Sequence, residues 1–208
     1  MCILSCSKDA PEPRNDYLAY YPLAKGNTWY YRIDSTRVFF SVPEDTTFYQ
    51  KETVVHTYRD EEGGFNSMLE LSRSNKPEGP YQFARYVKRR QIDHRVEYID
   101  GDTTTMLVFP VQVGGVWTHN SGRHHTNMGE VRGTNQRHSV NGVAYDSVVS
   151  TMLCDHFYGY YFDLDSVFFA RNVGMIKRDI VFISTNLPAS SDRNMGIKVR
   201  KTLIRHEF

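Results

Sequence analysis

Short segments rich in Tyr, Phe, Val and Thr follow one another from Trp29 to Phe208, and groups of Gly, Pro, Asn and Asp separate them. These residue types suit a pleated, half-buried surface, so each segment is a predicted strand. Their spacing predicts roughly ten strands in an antiparallel meander or barrel. The separating groups lie at residues 62–64, 75–80, 100–102, 141–142 and 172–174.

Two of these groups are sequences typical of tight turns. Asn141-Gly142 predicts a hairpin, because both residue types adopt positive φ at little cost, and Asp100-Gly101 predicts a second turn. Helical periodicity is hard to find. In the best candidate, residues 46–59, several β-branched side chains favour a strand. The pattern therefore predicts an all-β domain, built as an open, curved antiparallel sheet or as an incomplete barrel.

A nine-residue pattern occurs twice, at Tyr21–Trp29 and at Phe109–Trp117, and the two copies contain both tryptophans of the chain. Each copy has an aromatic residue, Pro, an aliphatic residue, two variable residues, Gly, two more variable residues and Trp. Pro suits the entry to a strand, Gly permits a sharp reversal, and Trp is large enough to anchor the following strand. We predict two similar corners that open two similar halves; the alternative is a pair of aromatic ligand contacts. The corner residues are Pro22, Gly26, Trp29, Pro110, Gly114 and Trp117.

Charge and hydropathy restrict the class of protein. The chain has 25 Lys and Arg against 24 Asp and Glu, so a broad electrostatic attraction to nucleic acid is not expected. The most apolar region, residues 143–170, is interrupted by five Asp and His residues: Asp146, Asp155, His156, Asp163 and Asp165. No stretch approaches the roughly 20 apolar residues that a membrane helix needs.

The first residues, Met1-Cys2-Ile3-Leu4-Ser5-Cys6, resemble a bacterial lipobox, in which a Cys is acylated after signal cleavage. We expect lipid on Cys6, with residues 1–16 as a truncated lipoprotein signal and flexible tether and residues 17–208 as a single β-rich domain. The alternative is an unmodified Cys in a disordered tail. If Cys6 carries lipid, Cys154 is predicted to be a small buried apolar residue without a disulfide partner.

Taken together, these motifs resemble a set of uncharacterised β-rich lipoproteins from Gram-negative bacterial envelopes. The resemblance implies a β-rich envelope fold and a lipid-anchored outer-membrane location, and it supplies no catalytic or ligand-binding residues. Its motifs are the opening at Tyr21–Trp29, a basic aromatic run at Arg85–Val96, the corner at Val108–Trp117 with Asn120 after it, a hairpin at Val140–Val148, and Ala-x-Asn-Val-Gly-x-Ile at Ala170–Ile176.

Histidines are the first candidates for chemistry, because imidazole is a common metal ligand. His119, His124, His125 and His138 lie close in sequence, but no His-Glu-x-x-His or His-x-His spacing occurs, and the nearest Cys, Cys154, lies in an apolar run. We therefore predict a solvated loop or edge here and no metal site.

Two further groups have both a functional and a structural interpretation. Asp163 and Asp165 would share one face of a strand and could divide acid and base roles, or they could lie at a solvent-facing edge or turn. The basic run from Arg85 to Arg90 favours an exposed strand with its cationic groups in water; a patch facing lipid headgroups is the alternative.

No nucleophile, phosphate-binding or dinucleotide motif occurs in the sequence, so we expect a protein that is not an enzyme and that needs no cofactor. The preferred hypothesis is an accessory or docking subunit of an outer-membrane protein complex, on the periplasmic or the cell-surface face. The alternative is a binding module that holds an apolar or glycan ligand in the concave face of its sheet. The tyrosine content suits both hypotheses, since Tyr supplies rigid amphipathic contact area.

Overall fold

The computed structural model of the chain describes residues 19–39, 42–120, 127–159, 161–185 and 194–208. The predicted lipid on Cys6 and the predicted boundary after residue 16 lie outside the described residues, as do His124 and His125. Among the described residues, no helix combines the length and the apolar character needed to cross a membrane.

The described residues form a single antiparallel sheet that curls into a nearly closed barrel, which confirms the all-β prediction and its incomplete-barrel form. There are twelve strands in this part of the chain, two more than the rough sequence estimate. They are β1 (Thr28–Phe39), β2 (Val42–Arg59), β3 (Phe65–Ser74), β4 (Gln82–Ile92), β5 (Arg95–Asp100), β6 (Asp102–Val108), β7 (Val116–Asn120), β8 (Asn127–Val140), β9 (Val143–Tyr158), β10 (Tyr161–Ala170), β11 (Gly174–Thr185) and β12 (Asn194–Glu207).

Each strand pairs with its neighbours in sequence, and β1 pairs with β12 to bring the two ends of the sheet together. That junction is long, since it runs from the Thr28↔Glu207 pair to the Val38↔Gly196 pair. On the other side of the barrel, β6 and β7 share only the pair Thr104↔Asn120 within residues 42–120. Among the described strands the sheet therefore has one seam, between β6 and β7, where its closure is incomplete.

The two nine-residue patterns lead into β1 and β7. These are the first strands of the two halves of the sheet, β1–β6 and β7–β12. Gly26 donates its amide to the carbonyl of Val54 in β2 at 2.8 Å, and Gly114 donates to Val131 in β8 at 2.9 Å. In each corner the residue after this Gly donates to the carbonyl three positions before it, and its own carbonyl accepts from the same Val. Both Gly residues have positive φ, 96° and 79°. The two corners thus share one backbone hydrogen-bond pattern.

Both corner tryptophans are buried, with 1% of Trp29 and 8% of Trp117 exposed. The indole N–H of Trp29 donates to the Val173 carbonyl at 2.6 Å, and that of Trp117 donates to the Thr105 carbonyl at 3.0 Å. A buried indole needs such a partner for its polar atom. Both side chains therefore belong to the core of the barrel.

The segment that precedes β1, residues 19–24, crosses one end of the barrel. Tyr21 is buried with its ring 5.1 Å from that of Phe169 in β10, and its carbonyl accepts from the side chain of Gln91 in β4 at 3.4 Å. The carbonyl of Leu23 accepts from the hydroxyl of Ser67 in β3 at 3.2 Å. We call this the closed end; the open end carries the β1–β2 and β11–β12 connections.

Candidate functional site

A buried carboxylate lies at the centre of a group of charges inside the barrel. Glu52, on β2, is 2% exposed. It accepts a hydrogen bond from Arg89 of β4 at 2.5 Å, one from Lys201 of β12, and one from the Gln50 amide at 2.7 Å. Two cations therefore share one carboxylate in a region that is largely removed from water.

The charges keep one another ionised. Burial alone would raise the pKa of Glu52, but the nearby charges of Lys201 and Arg89 outweigh it and hold this pKa at about 2. The pKa of Lys201 is lowered, because the cost of burying its ammonium exceeds the attraction of Glu52. The pKa of Arg89 is raised by Glu52 although burial opposes this. Glu52 and Arg89 are therefore charged at neutral pH.

Aromatic rings surround these cations. The Arg89 guanidinium lies 5.6 Å from the ring centroids of both Tyr21 and Trp29, and the Lys201 ammonium lies 4.1 Å from that of Tyr31. A cation above a ring face gains electrostatic stabilisation that is largest where water is excluded. The first corner and the segment at the closed end thus hold the charges in place from one side.

A second ion pair continues this group. Arg178 of β11 binds Asp165 of β10 through two hydrogen bonds of 3.0 and 2.6 Å. Arg178 is also the cross-strand partner of Lys201, so the two side chains share one face of the sheet. We call Glu52, Arg89, Lys201, Arg178 and Asp165 the polar layer.

The prediction that Asp163 and Asp165 could lie at a solvent-facing edge or turn is wrong. Asp165 is 8% exposed and does not lie at a solvent-facing edge or in a turn, because both residues are in the middle of β10. Asp163 is paired with His156 and Asp165 with Cys154 across the β9–β10 ladder. Since the side chains of a strand alternate, the two carboxylates share the inward face, and Asp165 is fully engaged by an arginine.

Cys154 is buried, as predicted. Its Sγ lies 3.2 Å from Nδ1 of His156, a pairing that can activate a thiol. Here burial, followed by the charge of Asp163, raises the pKa of the thiol to about 12. The thiol is therefore protonated at neutral pH, and the arrangement does not produce the thiolate that nucleophilic catalysis needs.

The histidines of the described residues do not come together. His119 is buried, with Nδ1 2.7 Å from the Thr105 carbonyl, so the prediction of a solvated position is wrong for this residue. Burial lowers the pKa of His119. His138 stacks on Phe168 with ring centroids 4.5 Å apart. Within the described part of the chain, no group of three or more His, Cys, Asp and Glu side chains is placed to hold a metal ion.

The basic run also differs from its prediction at one position. Arg85 is exposed and forms an ion pair with Asp100 at 2.6 Å, so its cationic group lies in water as predicted. Arg89 lies on the same face of β4, since residues two apart on a strand share a face, but there the face is covered, and Arg89 is buried together with Val87 and Gln91. The expectation that the cationic groups of this run lie in water is therefore wrong for Arg89.

An apolar groove of about 1050 Å³ lies at the open end of the barrel. It is formed where β1, β2, β11 and β12 extend to their connections. Two charged residues line the groove, Arg37 and Glu44, and they are cross-strand partners. The apolar side chains that line it are Val38, Phe39, Val42, Phe182, Met195 and Ile197.

The floor of the groove leads to the polar layer. The cross-strand pairs of β11 and β12 on this face are Phe182↔Ile197, then Ile180↔Val199, then Arg178↔Lys201. Same-face residues on one strand are about 7 Å apart, so two such steps separate the groove from the buried cations. The middle pair, Ile180 and Val199, is half-buried. One apolar pair therefore lies between the groove and the buried cations, and its neighbours on the adjoining strands are Asp165 and Ser35.

Three residues of the polar layer were not predicted from the sequence: Glu52, Arg178 and Lys201. Each is a charged residue at a position whose neighbours two residues away include buried or apolar side chains, as Lys201 lies between Val199 and Leu203. This alternation is the signal that could have found them. This alternation predicts on which face of the strand a charged side chain lies, but it does not predict with which residue the side chain forms an ion pair.

Comparison with known proteins yields structural likeness without sequence likeness. No family model and no curated protein matches the chain. The fold is similar to that of a protein of Bacteroides fragilis NCTC 9343 described as exported and as having a YmcC-like fold, with a TM-score of 0.51 and 9% identity over 89% of this chain and 97% of that chain. A protein of Parabacteroides distasonis ATCC 8503 described as a lipoprotein has a TM-score of 0.45 and 8% identity, over 90% of this chain and 98% of that chain. At such identity the likeness to the Bacteroides protein is one of fold alone.

Proposed function

We propose that this protein is a lipid-anchored, non-enzymatic binding module of the bacterial envelope that holds an apolar ligand in the groove at its open end. The observation that carries this proposal is the groove itself, because ligand pockets in proteins are typically concave, mostly apolar and about 300–1,000 Å³ in volume. Of the two ligand classes expected from the sequence, apolar and glycan, the lining favours the apolar one.

The shape and the lining favour a long, flexible ligand such as a lipid acyl chain. The groove opens at the rim of the barrel, and its floor continues past Ile180 and Val199 toward the polar layer. Burial of each CH₂ group of a chain on such a surface contributes about 0.8 kcal/mol. A linear chain can use the whole length of this surface, whereas a compact ligand would contact only part of it.

The polar layer supports a binding role better than a catalytic one. Glu52 is engaged by two cations, and Asp165 is engaged by Arg178 through both of its oxygens. Catalytic acids and bases need pKa values near the working pH, whereas the pKa of Glu52 is about 2 and that of Cys154 about 12. These groups stabilise the barrel and have little capacity to transfer protons.

The proposed location rests on the N-terminal sequence. Cys6 follows a lipobox-like Ile3-Leu4-Ser5, and a protein that shares the fold is described as exported. The described chain begins at the closed end with Ala19, whose carbonyl accepts a hydrogen bond from the Asn172 amide. We place the protein at the outer membrane; mass spectrometry of Cys6 from native membranes tests this part of the proposal.

Binding of a fluorescent fatty-acid analogue to the purified protein tests the groove. We expect saturable binding that Val42→Glu weakens by about tenfold or more, since a carboxylate in an apolar site is costly to desolvate. Val143→Glu is the matched control, because Val143 is an exposed strand residue next to a hairpin turn outside the groove. No binding by the wild type, or an equal loss in both variants, would contradict the proposal.

A docking subunit of an envelope complex is the second candidate function. It is favoured by the exposed first half of β4, where two aromatic side chains lie in solvent. This role and ligand binding are compatible, because the two surfaces do not share residues.

A further inference from the structure

The first half of β4 has an open edge among the described residues. Residues 82–87 pair with β3, but pairing of β4 with β5 begins only at Lys88↔Ile99. The short β5–β6 hairpin turns back at Gly101 and leaves this side of β4 without a strand in the described part of the chain. Backbone groups that point to an open edge can pair with another chain.

Two exposed aromatic side chains lie on this half-strand. Phe83 is 57% exposed and Tyr86 is 52% exposed, and their ring centroids are 5.0 Å apart. A register shift opposite Leu71 and Ser72 inserts one extra residue between them, so that both point to the same side. Exposed adjoining aromatic rings are typical of interaction surfaces.

A basic depression of about 360 Å³ lies at the start of the same half-strand, and Gln82 and Phe83 line one side of it. Arg73 and Lys76 also line it, and no carboxylate is among the lining residues. This charge distribution favours an acidic group.

We propose that residues 82–87 accept an extended acidic segment of a partner protein as an additional strand. Backbone hydrogen bonds along the open edge supply affinity, Phe83 and Tyr86 supply the apolar contact, and an acidic side chain of the segment enters the basic depression. The proposal rests on the docking role and names the class of partner for it. It does not depend on a ligand in the groove.

Short synthetic peptides that alternate Val and Glu test the proposal on the whole chain, and peptides that alternate Val and Lys are the comparison. We expect the Glu peptide to bind and to slow solvent exchange of those amides of residues 82–87 that point to the open edge, measured by NMR. Lys76→Glu should weaken the Glu peptide by about tenfold and strengthen the Lys peptide, because the charge of the depression is reversed. Lys198→Glu, an exposed change on β12, should leave both affinities unchanged.

Equal binding of the two peptides, or binding without protection of these amides, would overturn the proposal. The groove variant Val42→Glu separates the two functions, since it should retain peptide binding while losing the fatty acid. Peptide binding without fatty-acid binding would leave this inference standing and refute only the groove. Fatty-acid binding without peptide binding would refute strand addition and leave the groove proposal standing.

Discussion

Glu52 has two cationic partners, and one of them is 149 positions away in the chain. A carboxylate at 2% exposure is stable only because Arg89 and Lys201 compensate its charge. In the same way, the two buried cations need the negative charge of Glu52. Burial of each charge is costly, so the attraction between the charges offsets little more than this cost. Removal of Glu52 alone should therefore lower the free energy of unfolding by much more than the intact group contributes to it.

Glu52→Gln should therefore lower the free energy of unfolding by about 3–5 kcal/mol, because it leaves two buried cations with no carboxylate. Denaturant-induced unfolding measures this. Asp34→Asn is the control, since the Arg32–Asp34 pair is exposed and such pairs contribute about 0–1 kcal/mol. A loss below about 1 kcal/mol for Glu52→Gln would show that the layer is not as tightly paired as its distances indicate.

The same residue predicts a pH dependence. The pKa of Glu52 is about 2 in the folded protein against an ordinary value of 4.5, so its contribution is fully present above pH 4.5 and is lost as the pH falls through the folded value. We expect the stability difference between the wild type and Glu52→Gln to shrink between pH 4.5 and about 2. A difference that stays constant over this range would contradict the assignment.

The two corners are the elements that the chain uses twice, but their surroundings differ. On the next strand in the chain, β2 or β8, the cross-strand partner of Trp29 is Glu52, whereas that of Trp117 is Gly129. A Cβ atom at Gly129 would lie 2.4 Å from the Trp117 ring, so this indole packs directly on the backbone of β8. Trp29 instead stacks on Arg89. One corner thus supports the polar layer, and the other packs without charges.

Trp29→Ala and Trp117→Ala should each cost about 3–5 kcal/mol of unfolding free energy, the usual range for a large aromatic removed from a core. Acrylamide should quench both indoles weakly in the folded wild type. Phe157→Ala, at a side chain that is 78% exposed, should change stability by less than about 0.5 kcal/mol. Free quenching of both tryptophans would contradict their place in the core.

At the scale of the whole molecule, the barrel has a strong junction and a weak one. The β1–β12 ladder extends from Thr28↔Glu207 to Val38↔Gly196, whereas the described parts of β6 and β7 share the single pair Thr104↔Asn120. Local opening occurs most easily where few backbone hydrogen bonds and few packed contacts must break. The seam is the place where this barrel should open first.

Hydrogen exchange followed by mass spectrometry tests this expectation. Peptides that cover β6 and β7 should exchange at least about tenfold faster than peptides that cover β1 and β12, because local opening needs less free energy at the seam. Equal protection of both junctions would show that side-chain packing closes the seam as firmly as a full ladder does.

The sequence by itself determined the local structure of this protein. Turn residues such as Asn141-Gly142, at the β8–β9 hairpin, and the two-residue period of the strands depend on neighbours in the chain. The all-β class and the incomplete barrel followed from them. The corner at Tyr21–Trp29 and its copy are local patterns of the same kind.

Only the tertiary structure decided the site. Alternation shows that Arg89 and Lys201 have a face in common with apolar residues, but the closure of the sheet brings both to Glu52. The groove likewise needs β1–β2 and β11–β12, from opposite ends of the chain, to lie side by side. Strand propensity is a property of short segments, whereas register and closure depend on contacts between segments that are distant in sequence. For that reason the fold class was predictable and the polar layer and the groove were not.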